Sequence, residues 1–589
     1  MSTAILTGPP VPGSPLEGDL RALGFDVRIA AGPADTGALL AAVPAGERVA
    51  VVDSRFTGHR HALRLALTDP RFAAAAVPGA LGVQPAARPG LDRALARATA
   101  PAHSLPDELA EVIEAGGTAV QRPELGTLVA AVPESRAERE VADAAVAAVD
   151  DEAVRLRTAV KSRDGFFTTF FISPYSRYIA RWCARRGLTP NQVTTASLVT
   201  ALIAAGCAAT GERWGYVTAG VLLLVSFVLD CTDGQLARYS LQYSTLGAWL
   251  DATFDRAKEY SFYAGLALGA ARNGDDVWAL ALGAMILMTC RHVVDFAFNE
   301  ANHDATANTS PTAALSDRLD SVGWTVWARR MIILPIGERW AMIAVLTAFT
   351  TPRITFYALL AGCAFGALYT TAGRVLRSLT RRAKRTERAA RALYDLTDSG
   401  PLAELAARPV RLPGPAVAPA LLAAVLITGA ALWLPFGSGT LVAFAAGYAV
   451  LAGLAVSRPL AGPLDWLVPP VFRAAEYGTV LVLAAKAGVN GALPAAFGLV
   501  AAVAYHHYDT VYRIRGGTGA PPHWLVRTTG GHEGRVLVTV VLAAVLAHTD
   551  FPVALTALAV FVALVVLVES IRFWVSSGAP AVHDEGEPA

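Results

Sequence analysis

The sequence predicts a mostly α-helical polytopic membrane protein with a soluble α/β domain at its N-terminus. Hydrophobic residues make up 54% of the 589 residues and charged residues only 17%, against about 25% in soluble domains. Long uncharged runs follow residue 190, such as 191–211 and 412–457, and about 20 apolar residues span a bilayer core. The formal net charge is +2, so no nucleic-acid partner is expected. This composition excludes an ordinary cytosolic protein.

Residues 1–135 are predicted to form the soluble α/β domain, because short apolar runs alternate with helix-like stretches and Pro and Gly separate them. Asp53 follows the apolar run 49–52, a place where open α/β sheets bind ligands. A helix cap would explain the same carboxylate. The charged stretch 136–163 is predicted to be a connecting helix that joins this domain to the membrane region.

The membrane region divides into two halves. A basic, aromatic helix over 166–186 is predicted to lie on the membrane surface, and six spans are expected within residues 164–377. A basic cytoplasmic linker over 378–411 separates them from about six further spans in 412–589, about twelve in all. Arginines concentrate in alternate connections, and these include Arg238, Arg318, Arg329, Arg330 and the stretch 374–411. This asymmetry predicts a multi-pass cell-membrane protein whose N-terminus and active site are cytoplasmic.

Four aspartates stand near one predicted membrane face. Asp230 and Asp233 are three residues apart and Asp251 and Asp255 are four apart, so each pair shares a helix face. Such a cluster in a low-dielectric site needs cations, and Mg²⁺ or Mn²⁺ acting on a phosphate substrate is the usual case. Gly234 and Gly247 would permit close approach of a ligand, and Arg238 would donate to phosphate. A carboxylate-lined transport path is the alternative.

The segment from Asp230 to Asp255 resembles the CDP-alcohol phosphatidyltransferase family. It carries D-x-x-D-G-x-x-A-R-x8-G-x3-D-x3-D over 26 residues, and the likeness extends over about 161–377. The resemblance implies two Mg²⁺ or Mn²⁺ ions bound by all four aspartates, with Asp255 also the general base. It further implies that Gly234, Ala237, Arg238 and Gly247 line the CDP moiety. The expected reaction moves a substituted phosphate from a CDP-alcohol to an acceptor hydroxyl and releases CMP.

The identity of the acceptor is left open by the sequence. We expect membrane lipid as a partner, a homodimer as one assembly to consider, and an acceptor that carries a phosphate, such as an inositol phosphate. That phosphate would bind a cation cluster of Lys258, Arg291, Arg329 and Arg330. A cytidylyltransferase fused to a di-inositol-phosphate synthase offers a parallel for the first domain, but the G-x-G-x-R segment is missing from residues 4–20. The first domain is therefore expected to be a degenerate nucleotidyltransferase relative.

The second membrane half poses a separate question. Arg473, Glu476 and Tyr477 repeat the spacing of Arg256, Glu259 and Tyr260, which suggests a duplication, although an intramembrane Arg–Glu pair would explain both copies. No DxxDG follows residue 411, so this half is expected to act through packing. A chain ending near residue 388 is then expected to stay inserted and active. The competing interpretation of the whole chain is a non-catalytic membrane transporter or scaffold.

Overall fold

The computed structural model describes residues 2–98, 104–161, 164–304, 327, 331, 333–380, 384–408 and 414–576. These residues belong to two compact units. The first comprises Met1–Ser162, Tyr175–Pro190 and Thr232–Ser244, and the second comprises Arg163–Pro174, Asn191–Cys231 and Thr245–Ala589. Arg318, Arg329, Arg330 and Arg411, which enter the predictions above, lie outside the described residues.

The first unit is built on a six-stranded sheet with the strand order β2-β1-β3-β6-β5-β7. β1 runs parallel to β2 and β3, whereas β6 is antiparallel to both β3 and β5. A second, two-stranded sheet pairs β4 with β8. The strands are β1 (Ser2–Thr7), β2 (Phe25–Ala30), β3 (Arg48–Asp53), β4 (Thr57–Gly58), β5 (Ala74–Val77), β6 (Ala80–Val83), β7 (Val120–Gln121) and β8 (Ala130–Ala131).

Helices cover both faces of the larger sheet. Ile5, Val49 and Val51 belong to one apolar core, and their strand neighbours Leu6 and Val52 belong to another. Because successive side chains of a strand point to opposite faces, both faces are buried, which confirms the predicted α/β domain. The helices are α1 (Leu16–Ala22), α2 (Pro33–Ala41), α3 (Arg60–Leu67), α4 (Arg88–Leu95), α5 (Leu105–Ala115), α6 (Arg136–Ala147) and α7 (Asp151–Thr158).

The first membrane half begins with the basic helix α8 (Ser173–Arg185), which follows a π-helical turn over Thr168–Ile172. Its aromatic side chains Tyr175, Tyr178 and Trp182 are exposed, as expected of a helix on a membrane surface. Among the described residues, six longer helices follow. They are α9 (Pro190–Ala209), α10 (Arg213–Ser240), α11 (Thr245–Arg272), α12 (Trp278–Asn302), α13 (Ile336–Phe349) and α14 (Pro352–Thr380).

The second membrane half is also helical. Its members, with two preceding short helices, are α15 (Glu387–Thr397), α16 (Pro401–Ala407), α17 (Val417–Trp433), α18 (Gly439–Ala455), α19 (Val468–Ala487), α20 (Ala492–Arg515), α21 (His523–Thr529), α22 (Gly531–Val545) and α23 (Phe551–Ser576). Both membrane halves are therefore helical, as the sequence predicts.

By length and composition, six helical segments of the described residues are able to cross a membrane, and α17 and α18 are shorter apolar helices. Four of the six lie in the first half and two in the second. α11 falls outside this set although it is 28 residues long. Its embedded charges, which include Asp251 and Asp255, lower its hydropathy. The chain is a helical polytopic membrane protein with an N-terminal α/β domain, as the sequence predicts.

Small residues bring α9 and α11 close together. A Cβ atom built on Gly265 would lie 2.4 Å from the carbonyl oxygen of Ala205, and one built on Gly269 would lie 2.1 Å from that of Ala208. Any larger residue would therefore force the helices apart. This approach also brings Ser197 of α9 to Lys258 of α11, since the Lys258 Nζ and the Ser197 Oγ are 3.2 Å apart.

Candidate active site

The end of α10 carries the first two motif aspartates. Asp230 and Asp233 lie nearly one turn apart on a continuous helix that ends at Ser240, so their carboxylates share one face. Asp233 is buried, and the Asp230 side chain keeps 14% of its exposure. The uncharged run that precedes Asp230 holds this end of the helix next to apolar neighbours, where an unneutralised carboxylate is costly.

The next helix supplies the third carboxylate of the cluster. Oxygen atoms of Asp230, Asp233 and Asp251 all lie within 4.8 Å of one another. Carboxylate oxygens at this spacing fit a hard divalent cation such as Mg²⁺ or Mn²⁺. The predicted juxtaposition of the two aspartate pairs is therefore met for these three residues, which together could hold a metal ion.

Asp255 makes a different contact. One turn further along α11, its carboxylate pairs with the ammonium of Lys258 at 2.8 Å. The same ammonium donates a hydrogen bond to the Asp230 carboxylate and another to the Ser197 hydroxyl. Lys258 is completely buried. The fourth aspartate thus joins the cluster through a lysine, a link that the motif does not contain.

The cation cluster expected for the acceptor phosphate is only partly visible. Lys258 contacts the carboxylates of Asp230 and Asp255, and its predicted role in binding the acceptor phosphate stays a prediction. The contact with Asp255 reflects a spacing of three residues, which puts both side chains on one face of α11. Arg291 donates to the carbonyl oxygen of Ile333, and Arg329 and Arg330 lie outside the described residues.

The residues predicted to line the CDP moiety stand beside the aspartates in the chain. Gly234 and Ala237 are half-buried in the last turns of α10, and Gly247 is half-buried in the first turn of α11. A Cβ on Gly234 would lie 3.5 Å from an Arg238 guanidinium nitrogen, so this glycine sits next to that guanidinium. The Arg238 Nε donates to the carbonyl oxygen of Ala159 at 2.6 Å, which fixes the direction of the side chain.

The soluble part of the first unit binds the C-terminal end of α10, the helix that carries Asp230 and Asp233. Arg155 donates to the Tyr239 carbonyl oxygen at 2.9 Å, and Arg64 donates to that of Ser240 at 3.0 Å. The Tyr239 hydroxyl donates to Glu152 at 2.8 Å. Burial lowers the pKa of Arg64 to about 10, which still leaves its guanidinium charged at neutral pH. Sequence reasoning missed these contacts, because nothing in the spacing of Arg64 or Arg155 indicates a carbonyl partner.

The strand-end carboxylate of the soluble domain has an internal partner. Asp53 accepts from the backbone N–H and from the guanidinium of Arg55, and the ion pair is 2.8 Å long. The carboxylate is therefore held by the turn that follows β3. Neither the helix cap nor a ligand is needed to explain it.

A buried ion network supports α11 behind the aspartates. Arg256 pairs with Glu259 at 2.7 Å, and Arg339 of α13 reaches the same carboxylate at 3.2 Å. The Tyr263 hydroxyl also donates to Glu259 at 2.7 Å. All four side chains are buried, so this network ties α11 to α13 through satisfied charges.

Fold and site together define a class of protein: a polytopic helical membrane protein whose consecutive helices present a carboxylate cluster suited to a divalent cation. Comparison with protein families then makes this specific. Residues 187–368 match the CDP-alcohol phosphatidyltransferase family, and the chain therefore contains a domain of that family. Residues 387–589 match a family of unknown function (DUF5941). All four motif aspartates lie in the first of these regions.

Several curated proteins are similar to the same region. An archaetidylinositol phosphate synthase of Pyrococcus horikoshii is 32% identical over 115 residues, which cover 19% of this chain and 58% of the relative. A phosphatidylinositol phosphate synthase of Mycolicibacterium smegmatis is 35% identical over 123 residues, 20% of this chain and 53% of the relative. A bifunctional IPC transferase and DIPP synthase of Rubrobacter xylanophilus is 42% identical over 84 residues, 14% and 18% of the two chains. The matches thus span about half or less of each of these relatives.

Proposed function

We propose that the first membrane half transfers a substituted phosphate group from a CDP-alcohol to an acceptor hydroxyl and releases CMP. The observation that carries the proposal is the three-carboxylate cluster of Asp230, Asp233 and Asp251, set in the family motif at adjacent helices. The family match supports the donor class. The active site and the N-terminus are proposed to face the cytoplasm, in accordance with the arginine distribution.

The chain's own residues have distinct roles in this proposal. Asp230, Asp233 and Asp251 hold the divalent cation, and Arg238 adds a positive charge beside the diphosphate. When bound, Mg²⁺ or Mn²⁺ supplies charge stabilisation at the reacting phosphate. Asp255 accepts the proton of the acceptor hydroxyl. The new bond joins the acceptor oxygen to the phosphorus that carries the alcohol, and the bond between that phosphorus and the CMP oxygen breaks.

For the acceptor we propose a phosphorylated polyol, with inositol phosphate preferred over glycerol 3-phosphate. The relatives named above as archaetidylinositol phosphate synthase and phosphatidylinositol phosphate synthase favour this choice. The reaction would then serve phospholipid or phospho-polyol biosynthesis. Membrane lipid surrounds the site, and the lipid-soluble partner of the reaction reaches it from the bilayer.

The first domain is proposed to be a non-catalytic support. Through Arg64 and Arg155 it contacts Ser240 and Tyr239, the last two residues of α10, and its strand-end Asp53 is engaged by Arg55. By fixing this end of α10 it would keep the two aspartate-bearing helices in register. The second membrane half is proposed to act through packing.

Release of CMP tests the proposal directly. Full-length protein in detergent is incubated with Mg²⁺ or Mn²⁺, CDP-diacylglycerol or CDP-inositol, and inositol phosphate or glycerol 3-phosphate as acceptor. We expect CMP and a phosphate-linked product that mass spectrometry identifies, with loss of both in Asp251→Asn. Failure of every donor–acceptor pair, together with no binding of CDP, would favour the non-catalytic transporter or scaffold.

A further inference from the structure

Lys258 is a charged side chain that the proposed reaction does not use. Its ammonium is fully buried and lies between two motif carboxylates, 2.8 Å from Asp255 and in contact with Asp230. Three polar partners surround it, because the Ser197 hydroxyl completes the set at 3.2 Å. The ammonium thus takes the bridging place between the two helices that a cation bound to Asp230 and Asp255 would need.

The surroundings keep the lysine in this place. Ser197 is buried and exchanges hydrogen bonds with Ser226 on the neighbouring helix, so the hydroxyl that receives Lys258 is itself fixed. The ring of Trp340 lies 5.6 Å from the ammonium, a distance suited to a cation–π contact. Moving the ammonium away would leave a buried charge without partners, which is costly.

The balance of charges also disfavours a second divalent cation at Asp255. Four aspartates carry four negative charges, and the ammonium already compensates part of the charge on Asp230 and Asp255. A divalent ion on the same Asp255 oxygen would stand about 4 Å from the ammonium, and two cations at that distance repel strongly in a low-dielectric site. The cluster of Asp230, Asp233 and Asp251 remains suitable for one ion, because an oxygen atom from each carboxylate lies within 4.8 Å of the others.

We propose that the Lys258 ammonium replaces the second divalent cation, so that this chain binds one Mg²⁺ or Mn²⁺ ion instead of two. The inference rests on the proposed transferase function and refines its site. Asp255 is then held by a lysine of its own helix and is no ligand of a resident metal. The charge stabilisation is shared by two positive groups. One is the divalent cation, bound by Asp230, Asp233 and Asp251, and the other is the ammonium, which contacts Asp230 and Asp255.

The test counts metal ions in the full-length protein. Purified protein in detergent is titrated with Mn²⁺, with and without CDP, by equilibrium dialysis, and its electron paramagnetic resonance spectrum is recorded. We expect about one ion per chain and the spectrum of an isolated Mn²⁺. Lys258→Met, which keeps the length of the side chain but removes the charge, should bind about two ions and show the spectrum of a coupled pair. Lys486→Met is the matched control, because that lysine donates to the carbonyl oxygens of Leu432 and Leu434. The Lys486→Met protein should bind one ion.

Each result decides the matter. Two ions in the unmodified protein would overturn the lysine assignment and leave the transferase proposal intact. One ion in both the unmodified protein and Lys258→Met would show that the ammonium does not exclude the second cation, and this also overturns the assignment. No bound Mn²⁺ in the unmodified protein, even with CDP, would overturn the assignment and the proposed metal-dependent function together.

Discussion

Each membrane half contains a buried ion network, and the two networks are built alike. The halves differ in what surrounds the network. In the first half Glu259 is held by Arg256 and by Arg339. In the second half Glu476 is held by Arg473 at 2.7 Å and by Arg535 at 2.6 Å. The first arginine of each set lies three residues before its glutamate, and the second comes from the fifth long helix of its half. The network is therefore a feature of the scaffold and does not by itself indicate catalysis.

A second set of contacts, between a glutamate and backbone N–H groups, also occurs in both halves. Glu338, at the start of α13, accepts from the backbone N–H of Phe167 at 3.3 Å. Glu533, at the start of α22, accepts from those of Gly400 and Ala403, both at 3.1 Å. In each half, a glutamate of the fifth long helix thus binds a segment that precedes the first. Helix packing agrees, since the fourth helix contacts the sixth in both halves. These matches favour the duplication that the sequence suggests.

The halves differ where chemistry would occur. When Arg256 is aligned with Arg473, Val468 stands in the place of Asp251, Phe472 in that of Asp255 and Ala475 in that of Lys258. The Phe472 ring stacks on His532, 4.3 Å between centroids. Apolar packing therefore occupies the position of the carboxylates, so the same scaffold carries a polar site in one half and a filled core in the other.

Removing the second half should have the largest effect. The sequence alone predicts that a chain ending near residue 388 stays active, but α12 packs against α19 and α20, and α11 packs against α20. His292 bonds the Tyr508 hydroxyl, and Trp278 and Phe298 contact Phe497 and Trp466 at 5.7 and 5.2 Å between ring centroids. Truncation would expose these groups, so we now expect loss of both stable insertion and CMP release. Size-exclusion chromatography and the transferase assay measure both, and a monodisperse, active truncated protein would show the halves to be independent.

Substitutions of the aspartates should rank next. Asp251→Asn is expected to lower turnover by about 10²-fold or more and to weaken Mn²⁺ binding, because it removes a ligand charge. Asp255→Asn is expected to lower turnover by about 10²–10⁴-fold and to keep most of the affinity for CDP. Calorimetry with CDP and the CMP assay separate the two effects. Asp465→Asn, just before the second half's third helix, is the control and should keep CDP binding. Equal loss of CDP binding in Asp251→Asn and Asp255→Asn would remove support for the base assignment.

Breaking the buried ion network of either half should destabilise that half. Arg339→Met and Arg535→Met each leave a buried glutamate with fewer partners, and we expect losses of about 3–5 kcal/mol in the free energy of unfolding. The loss should be larger for Arg535→Met, because Arg535 also pairs with Asp398 at 2.6 Å. Denaturation in detergent measures both, with Arg353→Met of the exposed Arg353–Asp275 pair as a control without effect. A stable Arg535→Met protein would show that only the first network supports the fold.

A pH dependence confined to the soluble domain should be the smallest effect. Burial, followed by the charges of Arg155 and Arg64, lowers the pKa of His61 from 6.5 to about 3. The folded domain keeps this imidazole neutral while the unfolded chain protonates it, so stability is complete above pH 6.5 and falls as the pH decreases toward 3. Between pH 7 and pH 5 the expected loss is about 2 kcal/mol. Hydrogen exchange of α3 in the full chain should record it, and His61→Leu should abolish it; an unchanged dependence in that variant would assign the loss to another group.

Much of this could be predicted from sequence, for identifiable reasons. Uncharged runs located the helices, and the fixed spacing of Asp230, Asp233 and Asp251 indicated three carboxylates that the structure brings together. The pairing of Lys258 with Asp255 had a signal, the spacing of three residues, but its contact with Asp230 depends on how two helices approach. Arg339 and Arg535 share no flanking motif, so their common role became visible only in three dimensions. The contacts of Arg64 and Arg155 with backbone carbonyl oxygens have no side-chain pattern to reveal them.

Hydrogen exchange of the full-length protein with and without CDP and Mn²⁺ observes both halves in one experiment and so tests which half binds the nucleotide. We expect protection to appear in peptides covering residues 230–258, which contain the four aspartates and Lys258. Peptides covering residues 464–477, which correspond to residues 247–260 when Arg473 is aligned with Arg256, should not change. Protection in the second half, or in neither half, would contradict the assignment of the nucleotide site to the first.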